Sequence, residues 1–303
     1  MAHKIAFLFS GQGAQKPGMG KSLYDGSPAA RAVFAQTNDA CGKDIAALCF
    51  DGTPEELAQT QHTQPAVLAV DMAAWAAACE AGLHPRMTAG FSLGEYAALT
   101  ACGALEVPAA FHLISRRAHY MAACGEGGML AVLGMENGDL EAMCAGIGQV
   151  WPVNYNAPGQ TVVAGAHTAL TALREELKAR KVKAIPLAVG GAFHSPLMAP
   201  AARQLAVDLA QATFRQPTIP MVFNATGTQG DRPVDELMRM QCMSPVYWTK
   251  TIGTLLELGA DAFVECGPGG VLTGLCKRIC PDVACYRIED AETLQVAVAG
   301  LLG

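Results

Sequence analysis

A serine between two glycines is the strongest chemical signal in this sequence. Gly90, Ser92 and Gly94 form a G-x-S-x-G pattern between a short apolar stretch and Ala97-Ala98-Leu99-Thr100. This order predicts a strand, a sharp turn that the two small glycines permit, and a helix. The Leu93 N–H and the helix N-terminus then lie where an oxyanion would form. We expect Ser92 to be a nucleophile, the alternative being a chance pattern in a chain with 32 glycines.

A loop histidine is the candidate base for this serine. His194 follows a predicted strand at 182–189, and loop histidines after strands are common catalytic bases. The only aspartate between Ser92 and His194 is Asp139, which lies in a separate predicted unit. We therefore expect a Ser–His dyad whose imidazole is oriented by a neutral acceptor rather than by a carboxylate.

One arginine is predicted to be partly buried. Residues 107–124 form a helix with an apolar stripe at Phe111, Ile114, Ala118 and Met121. Arg116 lies opposite this stripe, whereas Arg117 borders it. Because a desolvated guanidinium without a partner is costly, Arg117 needs an anion. That anion is either a ligand or a structural carboxylate of the protein itself.

A glycine-flanked amide follows the first predicted strand. The apolar run at 4–9 ends in Ser10-Gly11-Gln12-Gly13, and Lys16 stands where a dinucleotide fingerprint needs glycine. Gln12 thus lies at the carboxyl end of a strand, where open α/β sheets place their active sites. A plain turn is the alternative interpretation.

Two structural units are predicted around these residues. Between residues 126 and 194, the order of strands and helices is βαββαβ, which indicates an inserted ferredoxin-like unit. Residues 1–125 and 195–303 are predicted to form a large α/β-hydrolase-like domain with a central, mostly parallel sheet. The predicted carboxyl ends of its strands carry the candidate residues.

Composition excludes several classes of protein. The 303 residues carry a formal net charge of −6, which argues against a nucleic-acid binder. Apolar runs are too short for a membrane span, and the run at 5–9 is too short for a signal peptide, so we expect a cytoplasmic protein without a membrane partner. Eleven cysteines without a C-x-x-C pair predict reduced thiols. Cys276, Cys280 and Cys285 lack an accompanying histidine, so we expect no metal site.

Several ordered motifs resemble one known family over nearly the whole chain. They are Phe9-Ser10-Gly11-Gln12-Gly13, Gly90 to Tyr96, the Arg117 helix, Asn154 to Gln160, Ala192-Phe193-His194-Ser195 and Glu265-Cys266-Gly267-Pro268-Gly269. The chain resembles the malonyl-CoA:acyl carrier protein transacylases and related acyltransferase domains of fatty acid and polyketide synthases.

The resemblance implies a role for each candidate residue. Ser92 forms the acyl ester, and His194 activates it and later protonates the leaving thiol. The backbone carbonyl of Gln241 orients His194, and the side chain of Gln12 and the N–H of Leu93 form the oxyanion hole.

The resemblance also implies the substrate. Arg117 pairs with the free carboxylate of a malonyl group, and Phe193 matches the aromatic residue of malonyl-selective members. Met121 and Asn156 complete the expected substrate-binding residues. Phe91 is a departure, because many members have histidine there.

The implied reaction is a ping-pong acyl transfer of fatty acid biosynthesis. Malonyl-CoA acylates Ser92, CoA leaves, and the phosphopantetheine thiol of holo acyl carrier protein takes the malonyl group. We expect a monomer that needs no metal or bound cofactor. A basic cluster, comprising Lys178, Arg180, Lys181 and Lys183, is our hypothesis for the site that docks the acidic carrier protein. A solvated helix terminus is the alternative.

Three rival functions remain open at this point. A serine hydrolase such as a thioesterase shares the serine motif and the histidine, but it gives Arg117 no role. A non-catalytic binding module would keep the fold without turnover. A free-standing acyltransferase of a polyketide synthase would use the same site.

Overall fold

The computed structural model describes residues 3–303, whose strands form two sheets. The strands are β1 Ile5–Phe9, β2 Met87–Gly90, β3 Gly128–Leu133, β4 Val150–Ala157, β5 Gln160–Gly165, β6 Lys183–Pro186, β7 Met221–Val222, β8 Ala262–Cys266 and β9 Ala284–Ile288. The helices are α1 Lys21–Gly26, α2 Pro28–Cys41, α3 Ile45–Asp51, α4 Pro54–Leu57, α5 Thr60–Glu80, α6 Gly94–Ala101, α7 Val107–Ala123, α8 Asn137–Ile147, α9 His167–Ala179, α10 Ala199–Leu209, α11 Val234–Gln241, α12 Trp248–Glu257, α13 Val271–Ile279 and α14 Ala291–Leu302.

The first sheet is parallel and has the strand order β7-β2-β1-β8-β9. All five residues of β1 and of β8 are buried, as expected for parallel strands covered by helices on both faces. Phe9 is in register with Gly90 on one side and with Cys266 on the other. The loops that follow these three strands therefore meet at one edge of the sheet.

Helix α5 forms the centre of the apolar core on one side of this sheet. It has 21 residues and is rich in alanine and valine, and most of its residues are buried. The residue pattern from Asp25 to about Gly82 predicts helical structure, and the structure has five helices, α1 to α5, between residues 21 and 80. In the described residues, no helix is both long and apolar enough to span a bilayer.

The second sheet is antiparallel and has the strand order β4-β5-β3-β6. With α8 and α9 between its strands, this is the predicted ferredoxin-like order. Leu130 and Val132 pack toward α8 and α9, whereas Met129 joins the core on the opposite face. These elements lie between residues 128 and 186; the domain boundaries at 126 and 194 stay a prediction.

Some edges of the predicted elements differ from the structure. The strand predicted at 182–189 is only β6, and the apolar run at 219–223, which predicts another strand, forms only β7. Both are edge strands that pair on one side, so fewer hydrogen bonds hold their ends. Ser195 followed by Pro196 is typical of a helix start, and the structure has there a 3₁₀ turn at Pro196–Met198, which Ser195 caps, before α10 continues.

Candidate active site

The turn after β2 holds Ser92 in a strained conformation. Its φ of 55° lies in the left-handed region, which is unusual for a residue with a side chain. A Cβ on Gly90 would lie 2.0 Å from the carbonyl carbon of Gly94, and one on Gly94 would lie 2.4 Å from the oxygen of Phe9. The close approach of β1, β2 and α6 therefore requires both glycines of the motif.

The structure brings Ser92 and His194 together. The two residues are 102 positions apart, and Ser92 Oγ lies 2.7 Å from His194 Nε2. His194 Nδ1 lies 2.9 Å from the backbone oxygen of Gln241, a neutral acceptor. A proton on Nδ1 donates to this oxygen, which leaves Nε2 free to accept the hydroxyl proton of Ser92.

Burial keeps the imidazole of His194 neutral. The residue is 4% exposed, and burial, assisted by the positive charge of Arg117, lowers the pKa of His194 to about 4. The φ of His194 is 62°, so its backbone is also in the left-handed region. At neutral pH this histidine is in the form that a general base requires.

Arg117 extends from α7 into the same buried space and is 1% exposed. Its Nη2 donates to Ser92 Oγ and to Gln241 Oε1, both at 2.9 Å, and its Nη1 donates to Gln64 Oε1 at 2.7 Å. Within residues 3–303 its hydrogen bonds all go to neutral groups, and its Nε has no acceptor. The guanidinium is therefore not neutralised by a structural ion pair, and its positive charge lies next to the nucleophile.

Arg116 behaves as a surface residue. Its side chain is 44% exposed and its Nε lies 3.3 Å from Asp208 Oδ1. The helical pattern predicted this contrast between two consecutive arginines.

Both expected oxyanion donors lie near Ser92. Leu93 precedes the first turn of α6, and none of the hydrogen bonds in the described chain uses its N–H. The N–H of Ser92 itself donates to Asn224 Oδ1 at 2.6 Å. The side chain of Gln12 lines the same cavity as Ser92 and makes only a long contact of 3.5 Å with Thr60 Oγ1.

A cavity of about 70 Å³ surrounds these groups. It lies between the two sheets, and its lining residues are Gln12, Gln64, Phe91, Ser92, Arg117, Met121, Met129, Asn154, Leu187, Val189, Phe193 and His194. A second cavity of about 190 Å³ adjoins it, shares Gln12, Phe91, Asn154 and Leu187 with it, and includes Asn156. Met121 and Phe193 thus line the first, inner cavity, and Asn156 lines the second, outer cavity.

Phe91, the departure from the family pattern, is held in place by its neighbours. Its ring packs edge-on against Trp248, with the centroids 5.3 Å apart. A Cβ on Gly11 would lie 2.8 Å from Phe91 Cδ1, so this ring is wedged against the loop that carries Gln12.

Three residues of the site were missed by the sequence analysis: Gln64, Glu95 and Asn224. Glu95 is 1% exposed and accepts hydrogen bonds from Asn224 N and Gln241 Nε2. Burial raises the pKa of Glu95 to about 7. A charged residue in the otherwise apolar helix after Gly94 and an asparagine directly after an apolar strand are the signals that could have revealed two of them.

The basic cluster lies apart from both cavities. Lys178 lies in the last turn of α9, which packs on the face of the second sheet that carries Leu130 and Val132. Lys183 is in register with Leu133 and therefore lies on the opposite face, together with Ala131 of the outer cavity. All four residues of the cluster are exposed, and Lys178, Lys181 and Lys183 line one surface depression.

Metal ligands were not expected from the sequence. Among residues 3–303, no group of three or more His, Cys, Asp or Glu side chains is placed to hold a metal ion. Cys276, Cys280 and Cys285 lie in an apolar cluster as free thiols.

Known proteins are similar to this chain in both sequence and fold. Residues 6–299 match the model of the acyl transferase domain family. Malonyl CoA-acyl carrier protein transacylase of Bacillus subtilis is 37% identical over 308 residues, covering 98% of this chain and 97% of that protein. The crystal structure of the malonyl-CoA:acyl carrier protein transacylase of Xanthomonas oryzae superposes with a TM-score of 0.95 at 36% identity, covering 99% of each chain.

A third relative was solved with a partner. It is a malonyl-transacylase in complex with its type II polyketide synthase acyl-carrier protein, with a TM-score of 0.93 at 36% identity, covering 98% of this chain and 99% of that one. Because these matches span nearly the full length of every chain and agree with the geometry around Ser92, this chain belongs to the acyl transferase family and, within it, to the malonyl-CoA:acyl carrier protein transacylases.

Proposed function

We propose that this protein is a malonyl-CoA:acyl carrier protein S-malonyltransferase of fatty acid biosynthesis. One observation carries the proposal: a buried guanidinium without an ion-pair partner lies 2.9 Å from the hydroxyl of a Ser–His dyad. A positive charge at this distance suits an acyl group that carries its own carboxylate.

In the first half-reaction, Ser92 attacks the thioester of malonyl-CoA. His194 Nε2 takes the hydroxyl proton as the new Oγ–C bond forms, and Gln12 and the Leu93 N–H stabilise the oxyanion. The C–S bond then breaks, and the CoA sulfur receives the proton from His194. A malonyl ester on Ser92 and free CoA result.

In the second half-reaction, the phosphopantetheine thiol of the carrier protein replaces CoA. His194 takes the proton of this thiol, the sulfur attacks the ester carbonyl, and the proton returns to Ser92 Oγ as the ester breaks. In this proposal the side chain of His194 supplies the acid and the base, and the Gln12 side chain and the backbone N–H of Leu93 supply the oxyanion donors, so the proposal includes no metal and no bound cofactor.

Selectivity follows from the charge of Arg117. A carboxylate can accept two parallel N–H bonds from a guanidinium, whereas an acetyl group offers none. Leaving a buried partner of such a pair unsatisfied costs roughly 2 to 5 kcal/mol. Phe193 and Met121, which line the inner cavity, restrict the space around the acyl group.

The orientation of His194 supports transfer over hydrolysis. A backbone carbonyl stands where many serine hydrolases have a carboxylate, so the imidazolium is less stabilised. A thiol nucleophile needs less help from a base than water does. A free-standing acyltransferase of a polyketide synthase would use the same groups, and one solved relative is in complex with a carrier protein of a type II polyketide synthase.

The proposed partner is holo acyl carrier protein, with the enzyme acting as a monomer and docking through the basic cluster. The proposed location is the cytoplasm, because eleven cysteines stay free thiols. Relatives that are transacylases of acyl carrier protein support the partner.

The direct test is an intact-mass spectrum after mixing the protein with malonyl-CoA or with acetyl-CoA. We expect one malonyl adduct, a much weaker acetyl adduct, and no adduct on Ser92→Ala. Free malonate accumulating without a persistent adduct would favour a hydrolase, and no reaction at all would favour a binding module.

A further inference from the structure

Glu95 has two hydrogen bonds that the mechanism does not yet explain. It lies in α6, three residues after Ser92, and is buried. One carboxylate oxygen accepts from the backbone N–H of Asn224 at 2.6 Å, and the other accepts from Gln241 Nε2 at 2.5 Å. Each of these two partners leads to a different part of the active site.

Asn224 holds the turn that carries the nucleophile. Its Oδ1 accepts from the N–H of Ser92, and its Nδ2 donates to the oxygen of Gly90, both at 2.6 Å. The side chain thus bridges the two ends of the strained turn. Because Glu95 accepts from the backbone N–H of Asn224, it fixes the position of this bridge.

Gln241 connects the base and the arginine. Its backbone oxygen receives His194 Nδ1 at 2.9 Å, and its Oε1 accepts from Arg117 Nη2 at 2.9 Å. Its Nε2 donates to the backbone oxygen of Ser92 at 2.6 Å and to Glu95. With both Nε2 hydrogens used in this way, Oε1 must face Arg117.

The carboxylate decides this orientation of the amide. If the Gln241 amide rotated by half a turn, its NH₂ group would face the guanidinium, donor against donor. Glu95 has only acceptor atoms when ionised, so it favours the orientation in which Oε1 meets Arg117. Loss of that acceptor removes one of the two contacts that prevent the rotation.

We propose that Glu95 is a positioning residue that aligns Ser92, His194 and Arg117 and thereby sets the preference for malonyl over acetyl groups. It contacts neither the reacting atoms nor the acyl group and acts through Asn224 and Gln241. This inference rests on the proposed function, since it concerns selectivity in that reaction.

The test is Glu95→Gln, which changes the volume little. A glutamine can accept from one of the two N–H donors, but its NH₂ then faces the other. Acylation of Ser92 is measured by rapid quench and intact mass with malonyl-CoA and, separately, with acetyl-CoA. Since hydrogen bonds to charged groups are the stronger ones, we expect the malonyl-to-acetyl rate ratio to fall roughly 10-fold or more.

The matched control is Glu265→Gln. Glu265 is a second buried carboxylate with two backbone donors, Leu272 N at 3.0 Å and Thr273 N at 2.7 Å. It lies in β8, outside the network of Ser92. This variant should lose stability while its rate ratio stays that of the wild type, because a lower folded fraction reduces both rates equally.

The outcomes separate this inference from the proposed function. A wild type that forms no malonyl adduct overturns both. If the wild type forms the adduct but a folded Glu95→Gln keeps the wild-type malonyl-to-acetyl rate ratio, the positioning role alone is overturned. The same holds if this ratio falls equally in Glu95→Gln and Glu265→Gln. If Glu95→Gln does not fold, Glu95→Asp is measured in the same way, since its shorter side chain cannot reach both donors.

Discussion

Ser92 Oγ lies between a base and a cation, with His194 Nε2 at 2.7 Å and Arg117 Nη2 at 2.9 Å. The guanidinium therefore favours negative charge on the oxygen as its proton leaves. As the new bond to the acyl carbon forms, this oxygen becomes a weaker acceptor, and the Nη2 donor becomes available to a carboxylate of the acyl group. One side chain thus assists attack and selects the substrate in the same acylation step.

Replacing Arg117 by alanine should affect the two acyl groups unequally. We expect malonyl transfer to fall at least roughly 30-fold more than acetyl transfer, because only the malonyl carboxylate loses a charged partner. Acylation rates with the two thioesters measure this. Arg116→Ala, which removes the neighbouring exposed arginine, is the control and should leave the ratio unchanged. A uniform loss with Arg117→Ala would make Arg117 structural.

The pH dependence of acylation should follow His194. Its pKa is lowered to about 4, so the imidazole stays neutral above that pH. We expect the acylation rate to be flat with respect to His194 down to about pH 5 and to fall as the pH drops through about 4. Rapid-mix acylation at pH 3.5 to 8 tests this, with circular dichroism to verify folding. A fall centred near pH 6.5 in both the wild type and Glu95→Gln would show that burial does not shift this histidine, because the variant lacks the Glu95 carboxyl, whose pKa is raised to about 7.

The same histidine should lower stability in acid. Its folded pKa lies below the ordinary value near 6.5, so the unfolded chain binds a proton first as the pH falls. As the pH falls from about 6.5 to 4, His194 therefore lowers the free energy of unfolding. Urea unfolding of the wild type and of His194→Gln across this range should show a smaller pH dependence for the variant.

His194→Ala should slow acylation by roughly 10²- to 10⁴-fold, the range typical of general base catalysis. The intact-mass assay with malonyl-CoA measures the rate. An unchanged rate would remove His194 from the mechanism.

At the scale of the elements, the turn between β2 and α6 is limited by backbone contacts. Gly94→Ala would place a Cβ 2.4 Å from the oxygen of Phe9 in β1. We expect the free energy of unfolding to fall by roughly 3 kcal/mol or more, because a backbone oxygen in a central strand cannot move aside. Urea denaturation measures the change.

A glycine in an open position of a helix is the control for this change. Gly146 lies in α8, and a Cβ there would meet nothing within 4 Å. Gly146→Ala should raise the free energy of unfolding by roughly 0.4 to 1 kcal/mol. Similar effects of both substitutions would contradict the close packing of β1 against α6.

At the scale of the whole molecule, the basic cluster offers a charge that an acidic carrier protein could meet. Reversing the charges at Lys178, Arg180, Lys181 and Lys183 should raise the KM for the carrier protein and spare acylation by malonyl-CoA. The effect should weaken with added salt. Lys43→Glu, an exposed lysine of the α2–α3 loop, is the control for a change of net charge.

The positions of two lysines of this cluster allow a finer test. By its register with Leu133, Lys183 lies on the face of the second sheet that carries Ala131 of the outer cavity, whereas Lys178 lies in the last turn of a helix on the other face. If the carrier protein docks near the outer cavity, Lys183→Glu alone should account for most of the rise in KM. Equal effects on both half-reactions would reject docking through the cluster.

Local patterns in the sequence determined most of the elements and the identity of the nucleophile. An apolar run and the Gly-Pro-Gly-Gly turn at 267–270 predict a strand at 262–266 and a helix at 271–279, and the structure has both with these bounds, Ala262–Cys266 and Val271–Ile279. The ferredoxin-like order followed from the alternation of strands and helices. The G-x-S-x-G spacing located Ser92, since the strain of that turn depends on adjacent residues.

Tertiary structure decided how the nucleophile, base and arginine are held together. Glu95 and Gln241 are 146 positions apart, and Ser92 and Asn224 are 132 positions apart. No periodicity links residues at such separations, because their contact depends on how β2, β7 and α11 pack. The sequence predicted that Arg117 needs an anion. Only the tertiary structure shows that its hydrogen-bond acceptors are the neutral groups of Gln64, Ser92 and Gln241.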